Sequence, residues 1–276
     1  MPSINLGPFA LSLDQALLMI AFVIALIVGG TVGRKAQIPV TGPLSDIFLT
    51  AMVTARIGFV LRYFEYYQAD LLGIVDIRDG GFDMIAGLIG ALAMLAWKLW
   101  RNSAIRFPLG SAAAAGLLTW GTVSLLIVLM EGQSRQLPDS PLSHLDGRPT
   151  TLPQVADGKP MVVNLWASWC PPCIREMPVL DKAQKENPDI TFVFVNQGEQ
   201  PETIKRFLNQ YSLSLRNVIT DIRTNMGRTT GSHVLPTTLF YDAQGRQVNA
   251  HTGELSAASL AHNLERFERP ETDSGG

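Results

Sequence analysis

Cysteine is almost missing from these 276 residues: there are two, Cys170 and Cys173, three positions apart. That excludes a disulfide-stapled fold, a four-cysteine zinc site and an iron–sulfur cluster built by this chain alone. Histidine is scarce too, with four. His144, His233, His251 and His262 are scattered with no chelating spacing, so no metal site is expected. Charge is short as well, at 17% of residues against about 25% in soluble globular proteins. There is no basic excess: 22 Lys+Arg face 24 Asp+Glu, a net charge of −2, which excludes a general nucleic-acid binder. The shortage of charge is local. Residues 1–130 hold 8 basic and 7 acidic side chains and residues 131–276 hold 14 and 17, so an apolar half precedes an ordinary one.

Crossing a bilayer takes about 20 mostly apolar residues in a helix, because every backbone polar group must be satisfied internally. Residues 15–33 and 107–130 carry no charge, and 80–100 carries Asp83 and Lys98 near its ends. Residues 43–67 form a fourth candidate, interrupted by Arg56, Arg62 and Glu65. Spans are therefore expected over about 13–33, 43–67, 80–100 and 107–130. The flank before the first lacks Lys and Arg, and no A-x-A cleavage pattern follows, so an uncleaved anchor is expected.

Lys and Arg on short loops mark the cytoplasmic side. Arg34 and Lys35 follow span one, and Lys98, Arg101 and Arg106 separate spans three and four. The intervening loop carries Asp70, Asp76 and Asp79 against Arg78. The N-terminus, this acidic loop and everything after Met130 are thus expected on the outer face, where disulfides persist. Charges inside spans usually face the bundle interior. Arg62 and Glu65, three apart, could pair along one helical face. Arg56 and Arg62 have two readings, helix packing or contact with lipid headgroups.

Ala55-Arg56-Ile57-Gly58-Phe59-Val60-Leu61, followed by Asp79-Gly80-Gly81 and Gly87-Leu88-Ile89-Gly90, resembles the core of prolipoprotein diacylglyceryl transferases over roughly residues 50–95. In that family a His-Gly-Gly segment tied to activity precedes the Leu-Ile-Gly run; here the positions read Ile85-Ala86-Gly87. The resemblance, to a truncated and degenerate member, implies a lipid-binding or scaffold role rather than transferase activity.

Residues 131–141 are polar with two prolines, as a linker would be. From residue 142 short apolar runs alternate with mixed segments. Strands are expected over 161–167, 190–196, 237–241 and 247–252, with a strand start at 217–220. Helices are expected over 173–187, 202–211 and 256–267, the last with a serine cap. Strands alternating with helices and then a closing hairpin make an α/β layer around a mixed sheet.

Trp169-Cys170-Pro171-Pro172-Cys173 falls where the first of these strands turns into a helix. A cysteine at a helix start meets unsatisfied N–H groups and the positive end of the macrodipole, both of which favour the reactive thiolate. Pro171 and Pro172 suit a first helical turn, where an N–H has no intrahelical partner anyway. They also remove two donors, which limits the stabilisation. Cys170 is thus expected as nucleophile and Cys173, one turn on, as resolving thiol. Haem attachment would need histidine where Ile174 stands, and a disulfide closing so small a loop has little structural value. Glu176 shares a helical face with Cys173, so a partly buried carboxylate there could take its proton; alternatively it is an exposed first-turn glutamate.

Asn164-Leu165-Trp166-Ala167-Ser168-Trp169-Cys170-Pro171-Pro172-Cys173 with Glu176-Met177-Pro178, then Val195-Asn196 before Gly198-Glu199, then Leu235-Pro236-Thr237-Thr238, resembles the TlpA/ResA-type membrane-anchored thioredoxin-like proteins over about residues 142–267. The resemblance implies a thioredoxin fold in residues 142–276 and thiol–disulfide exchange on exported proteins. It implies that Pro236 is the cis-proline facing the cysteine pair and that Glu176 is a buried proton-managing carboxylate. Trp169, Pro171, Pro172 and Leu235 are assigned to the substrate cleft.

The expected fold is then an N-terminal α-helical transmembrane bundle of about four spans plus a C-terminal α/β thioredoxin fold. The expected function is reduction of disulfides in exported proteins at the periplasmic face of a bacterial inner membrane, with no cofactor beyond the redox-active Cys170–Cys173 pair. The membrane half has no cysteine to relay electrons, so a separate transmembrane reductase of the DsbD/CcdA kind is implied as donor, with membrane lipid as a further partner. An oxidase or isomerase with the same site, and a lipid-binding or docking module carrying a redox domain, stand as alternatives.

Overall fold

The computed structural model describes residues 4–6, 9–11, 13–68, 71–130, 136–232 and 234–268. Asp70 of the acidic loop, residues 131–135 of the expected linker, His233 and residues 269–276 lie outside these. The chain divides into two compact units, Asp14–Gly132 and Met1–Leu13 with Gln133–Gly276.

The chain opens with an antiparallel pair of short strands, β1 (Ile4–Leu6) and β2 (Phe9–Leu11). The helical unit then comprises α1 (Leu13–Ala36), α2 (Thr41–Arg62), the single turn α3 (Phe64–Tyr67), α4 (Met84–Arg101) and α5 (Arg106–Met130). Four of these are long and apolar enough to cross a membrane. Leu61, Leu88, Leu92 and Leu118 point outward, as lipid-facing side chains do. Inside, Val40, Leu44, Ile105, Leu109 and Ala112 form a core that Phe22 and Leu26 of α1 and Leu95 and Leu99 of α4 complete. Glycine brings α2 and α4 into close approach. A Cβ at Gly58 would stand 2.4 Å from Ala86 Cβ, and one at Gly90 would stand 2.1 Å from Thr54 Oγ1. Asp83 caps α4 by accepting the Ala86 N–H at 2.8 Å.

Arg56 organises the loop between these two helices. Its Nε donates to Ile74 O, one terminal nitrogen to Asp79 Oδ1 and Gly81 O, and the other to Gly73 O and Asp76 O, all within 2.7–3.0 Å. A guanidinium has five N–H groups, and here each has a protein acceptor. A lipid phosphate would have to displace one of these bonds. Arg56→Ala would leave Asp79 buried without its cation and four carbonyls short of a donor. The expected loss is about 3–5 kcal/mol, read as a lowered unfolding midpoint of the full chain in detergent micelles. An unchanged midpoint would refute it.

The span expected to run to residue 67 ends earlier. The backbone leaves helical geometry at Tyr63 (φ −111°, ψ 28°), and Glu65 belongs to α3. Arg62 and Glu65 therefore do not share the unbroken helical face that pairing at three residues requires. Arg62 places its guanidinium 5.6 Å from the centre of the Tyr63 ring.

The second unit is built on a seven-stranded mixed sheet. Its elements are β3 (Leu142–His144), β4 (Pro149–Thr150), α6 (Leu152–Ala156), β5 (Met161–Trp166), α7 (Pro171–Glu186), β6 (Thr191–Gln197), α8 (Pro201–Gln210), β7 (Val218–Asp221), α9 (Asn225–Thr230), β8 (Thr237–Tyr241), β9 (Gln247–Thr252) and α10 (Ala257–Glu268). The strand order is β4-β3-β7-β6-β5-β8-β9. β5, β6 and β7 run parallel, while β8, β9, β3 and β4 join antiparallel. Both faces are covered, which explains why the central strands read as continuous apolar runs. Val162, Trp166, Phe192, Phe194 and Phe240 pack with α7, α8 and α10 on one face. Val163, Leu165, Val193, Val195 and Leu239 pack with α6 and α9 on the other. Within the expected linker, Gln136 bridges to Arg246 and Leu137 N donates to Gly245 O, so its second half lies along this unit.

Candidate active site

The register of β5 against β8 pairs Leu165 with Thr237, and β8 pairs Thr237 with Thr252. The chain leaving β5, the chain entering β8 and the chain leaving β9 consequently meet at one end of the sheet. Cys170, Pro236 and Leu255 lie on those three segments. This convergence makes a site from residues up to 85 positions apart.

Cys170 is the N-cap of α7, with Pro171 and Pro172 filling the first helical turn. The helix therefore begins two residues earlier than sequence pattern suggests, because proline fits where no intrahelical donor is needed. The first N–H past the prolines, that of Cys173, points at Cys170 Sγ at 3.4 Å. The two sulfurs are joined as a disulfide. Trp169, beside them, is 67% exposed and presents an apolar ring to solvent, whereas Trp166 is wholly buried against Phe207. The Leu235–Pro236 bond is cis, and Leu235 packs on the cluster that contains both cysteines.

Glu176 is 1% exposed. The face of α7 that carries Cys173, Met177 and Leu180 packs on the sheet and takes Glu176 in with it. The first-turn exposed reading is thereby excluded. Its Oε1 accepts from Asn164 Nδ2 at 2.7 Å and its Oε2 from Leu255 N at 3.0 Å. Asn164 Nδ2 also donates to Thr238 Oγ1 at 3.0 Å. Loss of solvent pushes the carboxyl up from 4.5 to about 8, against the two hydrogen bonds, which pull it down; the nearby Glu254 charge adds to the rise. Arg175 grips Glu254 with two nitrogens, which anchors the loop that supplies the Leu255 N–H.

A second carboxylate holds the turn before Cys170. Glu199 Oε2 accepts from Ser168 N at 2.7 Å and Asn196 Nδ2 at 2.6 Å, and its Oε1 accepts from Ser168 Oγ at 2.5 Å. Sequence reasoning assigned no role to Asn164, Thr238 or Glu199. A signal was present, since asparagine in Met161–Trp166 and threonine in Thr237–Tyr241 are polar residues inside buried strands and must find partners. Among the described residues no group of three or more metal-binding side chains comes together. Arg56 and Arg62 belong to the helical unit and are not part of this constellation.

A capped, helix-borne cysteine pair beside a buried carboxyl can exchange disulfides with a partner. The Redoxin family profile matches residues 131–264. The thiol-disulfide oxidoreductase ResA of Halalkalibacterium halodurans is 33% identical over 126 residues, spanning 45% of this chain and 70% of that protein. The chain belongs to the ResA-type thiol–disulfide oxidoreductases. Thioredoxin-like protein YneN of Bacillus subtilis is 31% identical over 141 residues, 50% of this chain and 80% of that one. Among solved structures, the exposed lipoprotein thioredoxin Etrx1 of Streptococcus pneumoniae aligns with 47% of this chain and 99% of its own at 29% identity and a TM-score of 0.40. Membership of the ResA-type proteins makes protein disulfides the substrate class. In the helical unit the prolipoprotein diacylglyceryl transferase profile matches residues 3–123. Ile85, where that family carries its histidine, is 70% exposed and directs an apolar side chain away from the unit's core.

Proposed function

We propose that this ResA-type chain is a membrane-anchored reductase of the bacterial inner membrane that reduces disulfides of exported proteins in the periplasm. The carrying observation is the placement of Cys170 Sγ at the start of α7, with the Cys173 N–H directed at it. A thiolate formed there gains a donor and the helix dipole.

In the reduced protein the Cys170 thiolate attacks one sulfur of a substrate disulfide. The substrate S–S bond breaks, a mixed disulfide with Cys170 forms, and one substrate thiolate leaves. Cys173 then gives its proton to the Glu176 carboxylate and attacks Cys170 Sγ, expelling the second substrate thiolate and closing the Cys170–Cys173 bond. Two electrons pass to the substrate. The Leu235–Pro236 segment, Trp169, Pro171 and Pro172 form the cleft wall that receives the chain next to the substrate cysteine.

Regeneration needs a dithiol donor. With no cysteine in residues 1–169, a separate transmembrane reductase of the DsbD/CcdA kind supplies it. The four apolar helices serve as anchor in membrane lipid. Arg34, Lys35, Lys98, Arg101 and Arg106 on one set of loops, against Asp76 and Asp79 on the other, support an outward-facing redox unit.

One experiment tests both direction and sidedness. Intact cells expressing the full chain are equilibrated in glutathione buffers and quenched with a membrane-impermeant maleimide. Labelling of the pair is expected to follow the external buffer, with a midpoint toward the thioredoxin end (about −270 mV) of the range that reaches about −120 mV in DsbA. A midpoint at the oxidising end would make the protein an oxidase or isomerase. Labelling indifferent to the buffer would place the pair inside.

A further inference from the structure

The Asn164 side chain sits between two groups and satisfies them in only one polarity. Its Nδ2 donates to Glu176 Oε1 and to Thr238 Oγ1, while its Oδ1 is buried with no hydrogen-bond partner among the described residues. The other Glu176 oxygen faces the Leu255 N–H, a backbone donor that can never accept. Both oxygens thus meet donors, which suits the ionised carboxylate. Burial favours the protonated form, however, and that form carries an O–H with nothing to receive it.

A half-turn of the amide resolves the conflict. Oδ1 would then stand where Nδ2 stands, accepting from the Glu176 O–H and from the Thr238 hydroxyl, which can donate as readily as accept. One buried amide atom is unpaired in either orientation, so the inversion costs no hydrogen bond. Oxygen and nitrogen of a side-chain amide are assigned from such networks, and here each protonation state selects its own assignment.

We propose that Asn164 is a positioning residue for proton transfer: its amide inverts as Glu176 gains or loses its proton, with the Thr238 hydroxyl reversing in step. Glu176 thereby takes the S–H proton of Cys173 and later returns it to the Cys173 sulfur, when a donor thiolate attacks Cys170 and breaks the Cys170–Cys173 bond. Neither state leaves the carboxyl unpaired. The charged and titratable groups near this site are Glu254, clamped by Arg175, and His251 on β9, whose ring nitrogen lies 3.3 Å from the Glu254 carbonyl. From β5 and β8 the facing groups are the neutral Asn164 and Thr238, and on α7 Cys173 lies three residues before Glu176 among the helix's buried residues.

The inference rests on Glu176 being the proton acceptor, and the test separates the two ideas. The pH profile of mixed-disulfide resolution is measured on the full chain in detergent for the wild type, Asn164→Leu, Asn164→Asp and Glu176→Gln. Leucine removes a charge-assisted bond to the carboxylate and only a neutral one to the acid, so the midpoint is expected to rise by about one pH unit, tenfold in proton affinity. Aspartate keeps the shape and, carrying acceptors only, also raises it. In the wild type, infrared difference spectra with 13C-labelled asparagine are expected to show one side-chain carbonyl band shifting with the same midpoint, and Asn164→Asp removes that band. A stationary band, or Asn164 midpoints equal to wild type while Glu176→Gln abolishes the transition, overturns the role of Asn164 and leaves Glu176 in place. A transition that survives in Glu176→Gln overturns the acceptor itself. Should the leucine variant fail to fold, the aspartate variant and the infrared measurement decide.

Discussion

Cys170→Ser is expected to reduce turnover of a model protein disulfide to the uncatalysed background, a loss on the order of a thousandfold or more. The hydroxyl does not ionise near neutral pH, so the N–H of Cys173 and the helix dipole have no anion to stabilise and the first bond never forms. Cys173→Ser has a different signature. Cys170 keeps its place at the N-cap and still attacks, but nothing expels the partner, so one equivalent of substrate is released and the other half stays bound as a mixed disulfide. Non-reducing electrophoresis of cells expressing this variant should show Cys170-linked adducts, and a Cys170→Ser/Cys173→Ser double variant should show none. Equal trapping on both single variants would remove the assignment of nucleophile and resolving thiol, because only Cys170 stands at the N-cap with an N–H directed at its sulfur.

Glu176→Gln separates stability from catalysis by pH. The carboxyl is pushed up to about 8 by burial, so the folded protein holds a proton that the unfolded chain begins to release near 4.5. The extra stability is complete below that lower value and is lost as pH rises toward 8, by up to about 1.4 kcal/mol per pH unit for one proton. Glutamine cannot titrate. The variant should therefore melt at a higher temperature than wild type above neutrality, with a gap that grows from pH 5 to pH 8 and vanishes in acid. Near and above pH 8, where the wild-type carboxyl is ionised and can accept the proton, it should resolve mixed disulfides about a hundredfold more slowly, the usual scale for losing a positioned acid–base group, and this defect should close in acid. A gap that stayed constant with pH would mean that the carboxyl is not the titrating group.

Much of this was legible in the residues. The cysteine spacing sits at a strand-to-helix turn, and the prolines between the cysteines suit the first turn of a helix. The four apolar stretches match four helices, because the demand for uncharged length leaves few alternatives. Strands β8 and β9 fall where alternating β-formers bounded by Asp242–Gly245 put them. The short elements were not legible. β3, β4, α6 and α9 are two to six residues long and hold their shape through pairing with the rest of the sheet or a capping box, so they carry almost no periodic signal. The break at Tyr63 escaped too, since Tyr-Phe-Glu-Tyr-Tyr is compatible with continuing the helix.

The linear order of residues determined the chemistry: two thiols one helical turn apart, a carboxyl on the same helical face, and a hydrocarbon-compatible half without a single sulfhydryl. What it could not determine is where that carboxyl lies and whom it meets. Whether Glu176 reaches water or the core depends on how α7 is pressed against β5, and its partners come from a strand 12 residues upstream and a loop 79 residues downstream. Local spacing encodes which side chains share an element, because helix and strand periods are short. Desolvation and hydrogen-bond partnership arise only when elements close over one another. That is why the carboxyl's proton, and the asparagine that answers to it, become visible in three dimensions alone.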